Sequence, residues 1–92
     1  MEEQYTKEMF RLAESLCVKY NALCKRGKDP HGNDVCRIYT TNNNFAGSLK
    51  ISMWREEVRF CYFSMFAGEC CFKINPNTFE EDVDYAIRFL IK

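Results

Sequence analysis

The sequence predicts an α+β fold, a two-layer sandwich in which two helices pack on one face of an antiparallel sheet of three to four strands. Three observations support this prediction. Apolar residues recur at helical spacing near the start of the chain, alternate with polar residues through its middle, and return to helical spacing near its end. The predicted order of elements is α-β-β-β-β-α.

Length and composition indicate a single domain over residues 1–92. A chain of 92 residues buries only about 60 to 65% of its extended surface, but a hydrophobic fraction of 47% is ample for a core. The amino terminus is charged and amphipathic, unlike a secretory signal, and no run of about 18 apolar residues could span a bilayer. The sequence therefore predicts a cytoplasmic location.

The first predicted element is an amphipathic helix over residues 3–24. Its apolar stripe recurs every three or four residues. The members of that stripe are Tyr5, Met9, Leu12, Leu16, Tyr20 and Leu23. Lys25, Arg26 and Gly27 are typical of a helix end, and the polar residues 28–34 predict a loop.

Four strands are predicted next, over residues 35–41, 48–54, 57–66 and 69–74. Alternation places one set of side chains on an inner face, against the helices, and the other on an outer face. The inner set is Cys36, Ile38, Leu49, Ile51, Met53, Val58, Phe60, Tyr62, Cys70, Phe72 and Ile74. The phase of the first strand is the least constrained, and the loop residue Phe45 can either fold onto the core or project outward.

The predicted outer face interleaves basic and aromatic side chains. Its members are Arg37, Tyr39, Lys50, Trp54, Arg59, Phe63 and Lys73. The acids of this region, Glu56, Glu57 and Glu69, fall at the predicted joints between strands. Large aromatic side chains on an open face usually contact a partner, so these seven residues are the predicted binding site.

A second helix is predicted after Asn77. Thr78 and Glu81 have the spacing of a capping box. The buried stripe comprises Phe79, Val83, Ala86, Ile87 and Leu90. Four acids open the helix, namely Glu80, Glu81, Asp82 and Asp84. Such acids are most often partners of the helix dipole, and the alternative is an acidic contact that imitates phosphates.

The cysteines and the histidine predict no metal site, cofactor or catalytic centre. Six cysteines without a CxxC pair are expected to be free thiols in a reducing compartment. Cys70 and Cys71 are neighbours in a strand and should point to opposite faces. His31 is expected to lie in an exposed loop. The sequence leaves the roles of His31, Cys61 and Cys71 open.

These observations favour a non-enzymatic protein-binding module. Thirteen basic and thirteen acidic residues cancel, and no carboxylate pair or glycine loop forms a catalytic set. In size and style the chain is similar to small phage-encoded inhibitors of host defence, such as anti-CRISPR proteins. That similarity implies an inhibitor or adaptor that acts on a larger protein or nucleoprotein complex.

Two alternatives use the same outer face. It could bind single-stranded nucleic acid, with bases stacked on the aromatic residues and phosphates held by the basic ones. It could also be covered by a second copy in a homodimer. Trp54 is the predicted main contact for either a protein or a nucleic-acid partner.

Overall fold

The computed structural model describes all 92 residues and confirms the α+β class, with two helices on one face of an antiparallel sheet. The sheet has five strands, one more than the predicted four. The elements are α1 (Glu2–Lys19), β1 (Leu23–Lys28), β2 (Asp34–Tyr39), β3 (Phe45–Trp54), β4 (Glu57–Ser64), β5 (Gly68–Lys73) and α2 (Phe79–Leu90).

The sheet is a meander in which each strand pairs antiparallel with the next along the chain, in the order β1-β2-β3-β4-β5. Short turns connect the strands. Arg55 and Glu56 both have positive φ, at 51° and 65°, which is the backbone of a type I′ hairpin turn between β3 and β4. The two edges of the sheet are therefore β1 and β5.

The predicted helical stretch 20–24 is wrong, because α1 ends at Lys19 and β1 begins at Leu23, whereas the predicted loop is present over residues 29–33 between β1 and β2. Helix α1 ends at Lys19, and Asn21 takes a left-handed φ of 58° that redirects the backbone. Lys25 to Gly27 lie in β1 and do not cap the helix. The helical spacing extends past Lys19 only because Leu23 happens to fall at the next apolar position.

The core lies between the inner face and the helices. Phe60, Leu49 and Ile38 are fully buried, and Cys36 is almost so, which confirms the phase predicted for the first of the four strands. Met9 from α1 and Val83 from α2 close this core from above. The helices also contact each other, for example where the Tyr5 and Phe79 rings meet at 5.1 Å.

Helix α2 buries the predicted stripe but lacks the predicted capping box. The Thr78 hydroxyl donates to the Asp82 carboxylate at 3.0 Å and makes no bond to the backbone of the first turn. Gly47 in β3 lets the helix approach closely, since a Cβ there would overlap the Leu90 side chain and the Phe63 carbonyl. No helix of the protein is long and apolar enough to cross a membrane.

Candidate functional site

The outer face has no second layer, and it carries all seven predicted site residues. Strand register divides it into three regions. Trp54 lies at one end, and Tyr39 and Phe63 lie toward the other. The basic residues between these ends are Arg37, Lys50, Arg59 and Lys73.

Two of the four basic residues in the middle, Lys50 and Arg59, are paired with acids. Lys50 Nζ lies 3.9 Å from Asp29 and 3.7 Å from Glu69, and Arg59 Nε donates to Glu57 at 3.1 Å. Glu57 and Glu69 are strand residues on the outer face, so their predicted placement at turns is wrong. The face is therefore locally neutral where the sequence indicated a basic surface.

Two further contacts hold these charges in place. Arg37 Nη2 donates to the Lys28 carbonyl at 2.9 Å, and its guanidinium crosses Gly27, where a Cβ would collide with it. The pKa of Asp29 is lowered, mainly because the Asn33 backbone N–H donates to the carboxylate. Asp29 is thus held ionised beside Lys50.

The centre of the outer face is buried despite having no covering layer. Val35 is 4% exposed and Cys61 is 1% exposed, although both point away from the helices. Lys50 stands between them in the strand register. Its aliphatic stem is long enough to cover both neighbours while its ammonium lies within 4 Å of the flanking acids, an arrangement common for long charged side chains.

Cys61 and Cys71 form a disulfide across β4 and β5, so the expectation of six free thiols is wrong for this pair. They are directly opposed in the register, with Cα atoms 4.2 Å apart. The Ser52 hydroxyl lies 3.4 Å from Cys61 Sγ. The sequence could not pair residues ten apart without the hairpin register, which decides which side chains meet.

A group of large apolar side chains, exposed except for the half-buried Tyr39, is here called the aromatic end and lies where β3 begins and β4 ends. Its members are Leu23, Tyr39, Phe45, Phe63, Met65 and Phe66. Phe66 is 100% exposed at the tip of the β4–β5 turn. The Tyr39 and Phe45 rings meet at 5.6 Å, and Lys25 Nζ lies 5.0 Å from the centre of the Tyr39 ring.

Trp54 lies at the opposite end, beside the β3–β4 turn. It is 54% exposed, and the Arg55 guanidinium lies 5.3 Å from the centre of its ring. Ser48, which pairs with Phe63, is six residues along β3 from Trp54, or about 20 Å at roughly 3.4 Å per residue. Trp54 and Phe63 therefore form no continuous stacking surface.

The helical side carries a smaller aromatic group beside β5. Tyr85 and Phe89 stack at 6.3 Å and both contact the Tyr62 ring. Burial raises the pKa of the Tyr62 hydroxyl to about 12, and a hydrogen bond with the Cys70 thiol is the second cause of this shift. Tyr85 is 52% exposed, so its ring lies at the rim of the core.

Three free cysteines meet where α1 packs on β1 and β2. Cys17 and Cys36 are buried and Cys24 is half-buried between them. Hydrogen bonds from the Cys17 and Cys36 thiols, with help from Arg26, lower the pKa of Cys24 to about 3. The same contacts, together with burial, raise the pKa values of Cys17 and Cys36.

The four predicted acidic contacts divide into two pairs. Asp82 accepts the Thr78 hydroxyl, and Asp84 accepts both the Tyr20 hydroxyl and Arg88 Nε. Glu80 and Glu81 remain directed toward solvent beside a shallow depression that Leu16 and Lys19 also line.

His31 lies in the exposed β1–β2 loop, where its backbone N–H donates to Asp29. The largest depression, about 410 Å³, lies near this loop and the first turns of α1. Its lining is mainly polar, with only Phe10 and Ile51 apolar among ten residues. No group of three or more His, Cys, Asp or Glu residues has the geometry to hold a metal ion.

Comparisons with protein-family models, curated proteins and solved structures find no match to this chain. Function must therefore be inferred from the surface itself.

Four members of the aromatic end fall outside the site that the sequence predicts, namely Leu23, Phe45, Met65 and Phe66. Helical spacing places Leu23 in the first helix, and strand propensity places Met65 and Phe66 in a strand that in fact ends at Ser64. A signal is present, because two large apolar residues immediately precede Ala67 and Gly68, the predicted turn. Because β4 ends at Ser64, Met65 and Phe66 lie at the tip of the β4–β5 hairpin, where the core cannot cover them.

Proposed function

We propose that the chain is a non-enzymatic protein-binding module that acts on a larger protein through the aromatic end. The observation that carries this proposal is the exposure of several large apolar residues at one edge of a small domain, including a fully exposed Phe66. Contiguous apolar side chains of this kind are costly in water and are typical of surfaces that a partner covers.

The composition of the aromatic end resembles the centre of a protein interface. Aromatic and methionine side chains are enriched in such centres, while charged residues are depleted. Phe66 projects from a turn and Phe63 lies flat on the sheet beside it, so a partner pocket could take the first while a flatter surface covers the second. Lys25 and the Thr40–Asn44 turn supply a polar rim.

A protein partner is favoured over single-stranded nucleic acid for two reasons. Lys50 and Arg59 already have carboxylate partners, which reduces the positive potential available to phosphates. The two best stacking side chains, Trp54 and Phe63, lie at different ends of the face. Nucleic-acid binding is retained as the alternative because Trp54 is exposed and Lys73, close to it, has no ion-pair partner within 4 Å.

The proposed action is inhibition or adaptation of a larger protein or nucleoprotein complex, in the manner of small phage anti-defence proteins. Trp54 and the solvent-directed acids Glu80 and Glu81 are secondary contacts in this proposal. We also propose a cytoplasmic location, in which reducing conditions would open the Cys61–Cys71 bond and leave two thiols side by side.

The test is site-specific photo-crosslinking. A photoreactive amino acid replaces Phe66 in one variant and Val18, an 83% exposed residue of α1, in a matched control. We expect one protein to be crosslinked from Phe66 and not from Val18. The captured protein is then purified, and its affinity is measured for the wild type and for Phe66→Ala, Phe63→Ala and Trp54→Ala.

Phe66→Ala or Phe63→Ala should weaken binding by more than about 1 kcal/mol, as for a buried interface aromatic, and should leave the fold intact. Trp54→Ala should also weaken binding if the partner covers the Trp54 end of the outer face. Equal crosslinking from both positions, or full affinity in all three variants, would reject the aromatic end as the contact.

Titration of labelled single-stranded DNA and RNA tests the alternative. Trp54 fluorescence reports stacking directly, since it is the only tryptophan in the chain. A quench that weakens between low and moderate salt would support a nucleic-acid partner. We expect no quench.

A further inference from the structure

The outer edge of β5 is an unpaired strand with its backbone groups exposed. Ile74 donates its N–H to the Val58 carbonyl at 3.1 Å, which shows that even-numbered residues here face β4. The opposed Cys61 and Cys71 have the short Cα separation, 4.2 Å, of a pair that exchanges no backbone hydrogen bonds. Glu69, Cys71 and Lys73 therefore direct their N–H and C=O groups away from the sheet.

This edge has no proline and no covering element, and its two charges, Glu69 and Lys73, are of opposite sign. Every residue of β5 is exposed except Phe72, which is half-buried. The opposite edge, β1, differs because Lys25, Arg26 and Lys28 give it three positive charges, and charged edges resist pairing with a second copy. Among the two edges, only β5 is suited to accept another strand.

Geometry restricts how two copies of β5 could pair. In an antiparallel pair, a residue whose backbone N–H and C=O point away from its own sheet must lie opposite a residue of the second copy with the same orientation. Pairing centred on Cys71 is the arrangement that uses all three outward residues of both copies, and it would form about six backbone hydrogen bonds. If the pairing were centred on Glu69 or Lys73, only one of the outward-directed β5 residues of each copy could form backbone hydrogen bonds with the other copy.

The charges favour the same register. With Cys71 opposite its symmetry mate, Glu69 of each copy faces Lys73 of the other, on the outer face. Opposite charges at directly opposed positions stabilise a strand pair, and like charges destabilise it. Centring on Glu69 or Lys73 would instead place two identical charges together.

Apolar side chains flank this edge on the helical side. Tyr85 and Phe89 from α2 are 52% and 38% exposed, and Cys70 and Phe72 lie on the β5 surface next to them. Pairing two copies would place these groups on both sides of a two-fold axis. The self-complementary arrangement is that of an isologous dimer.

We propose that the protein forms a symmetric homodimer in which β5 pairs antiparallel with β5 of a second copy, centred on Cys71, to make one continuous ten-stranded sheet. Leu23, Tyr39 and Phe45 of the aromatic end lie on β1 to β3, away from this edge, so each copy can still bind a partner there. The dimer presents two such surfaces and would bind a repeated or symmetric target more tightly than one copy does.

Sedimentation velocity over a range of concentrations tests the dimer. The wild type should form a particle of twice the 10.9 kDa chain mass. Glu69→Lys and Lys73→Glu should each weaken dimerisation about tenfold, because each places like charges opposite one another at two symmetric points. The double variant Glu69→Lys/Lys73→Glu should restore wild-type affinity.

A matched control shows whether the strand register, and not net charge alone, determines dimerisation. Lys25→Glu makes the same charge change on the outer face of β1 and should leave dimerisation unchanged. Circular dichroism establishes that each variant is folded, and a non-reducing gel shows whether the dimer is covalent. A wild type that stays monomeric at about 1 mM, or a dimer that the double variant fails to restore, would overturn the proposal.

Discussion

The two faces of the sheet bury their centres in different ways. On the inner face, two helices cover Phe60 and Leu49 as a second layer normally does. On the outer face, Val35 and Cys61 are buried to a similar degree without a second layer, and Lys50 with its ion pairs lies between them. A small open-faced sheet can thus hide its middle with its own long side chains, and only its ends remain apolar.

The cysteines follow the same division. The inner face holds three free thiols in contact, at Cys17, Cys24 and Cys36, while the outer face holds the Cys61–Cys71 disulfide. Directly opposed positions on neighbouring strands bring two sulfurs together, whereas the inner thiols come from three different elements. We therefore expect a change in redox conditions to affect the stability of the two faces to different degrees.

The largest expected effect comes from matched phenylalanines on opposite faces of β4. Phe60→Ala should lower the free energy of unfolding by about 3 to 5 kcal/mol, because it empties the centre of the core. Phe63→Ala should cost less than about 1 kcal/mol, because Phe63 is 36% exposed. Urea denaturation measures both, and equal costs would mean that the outer face is covered in solution.

The disulfide should give the next largest effect. It joins residues ten apart, so opening it should cost about 2 to 3 kcal/mol through the greater freedom of the unfolded chain. The urea midpoint of the wild type should fall when a reductant is added. A Cys61→Ala/Cys71→Ala variant should not respond to reductant, and Cys70→Ala should respond as the wild type does. A midpoint that reductant leaves unchanged would show that the bond does not form.

Truncation of the lysine cover should have a smaller effect. Lys50→Ala exposes Val35 and Cys61 and should destabilise the fold by about 1 kcal/mol. Lys50→Met keeps the stem and removes only the charge, so it should stay within about 0.5 kcal/mol of the wild type. If both variants lower the free energy of unfolding equally, the ion pairs with Asp29 and Glu69 contribute more to stability than the covering of Val35 and Cys61 by the Lys50 stem.

The last prediction concerns the reactivity of Cys24. Its lowered pKa means that the thiolate stabilises the fold above the ordinary thiol pKa, and that this contribution is lost as the pH falls toward about 3. Alkylation of Cys24 by iodoacetamide, followed by mass spectrometry, should be almost independent of pH between 6 and 8. A thiol with a pKa of about 8.5 slows about 100-fold over that range and serves as the reference. The same slowing at Cys24 would show that its thiolate is not stabilised.

Alternation predicted the inner residues of β2, β3 and β4 correctly because these strands bury their inner side chains against the helices, so the period of two is strongly enforced. Leu49, Phe60 and Ile38 lie where that pattern placed them. The edge strand β1 was missed because charged residues fill it and no apolar alternation marks it. Its first residue also continued the helical spacing of α1.

The seven predicted site residues all lie on the outer face, but their partners could not be foreseen. Which acid meets Lys50 depends on a loop and on a strand two places away, and local sequence carries no information about either. Phe66 was hidden for a different reason. Its environment depends on where β4 stops, and strand ends are decided by the turn hydrogen bonds to Ser64.

The two helices that close the inner face are the first and last elements of the chain. All five strands and α1 are synthesised before α2, which alone supplies Phe79, Val83, Ala86, Ile87 and Leu90 to the core. Until α2 emerges from the ribosome, part of the apolar inner face has no cover. The fold is therefore completed only after α2 has been synthesised, and a nascent chain that stalls before residue 79 exposes an apolar sheet face to chaperones and proteases.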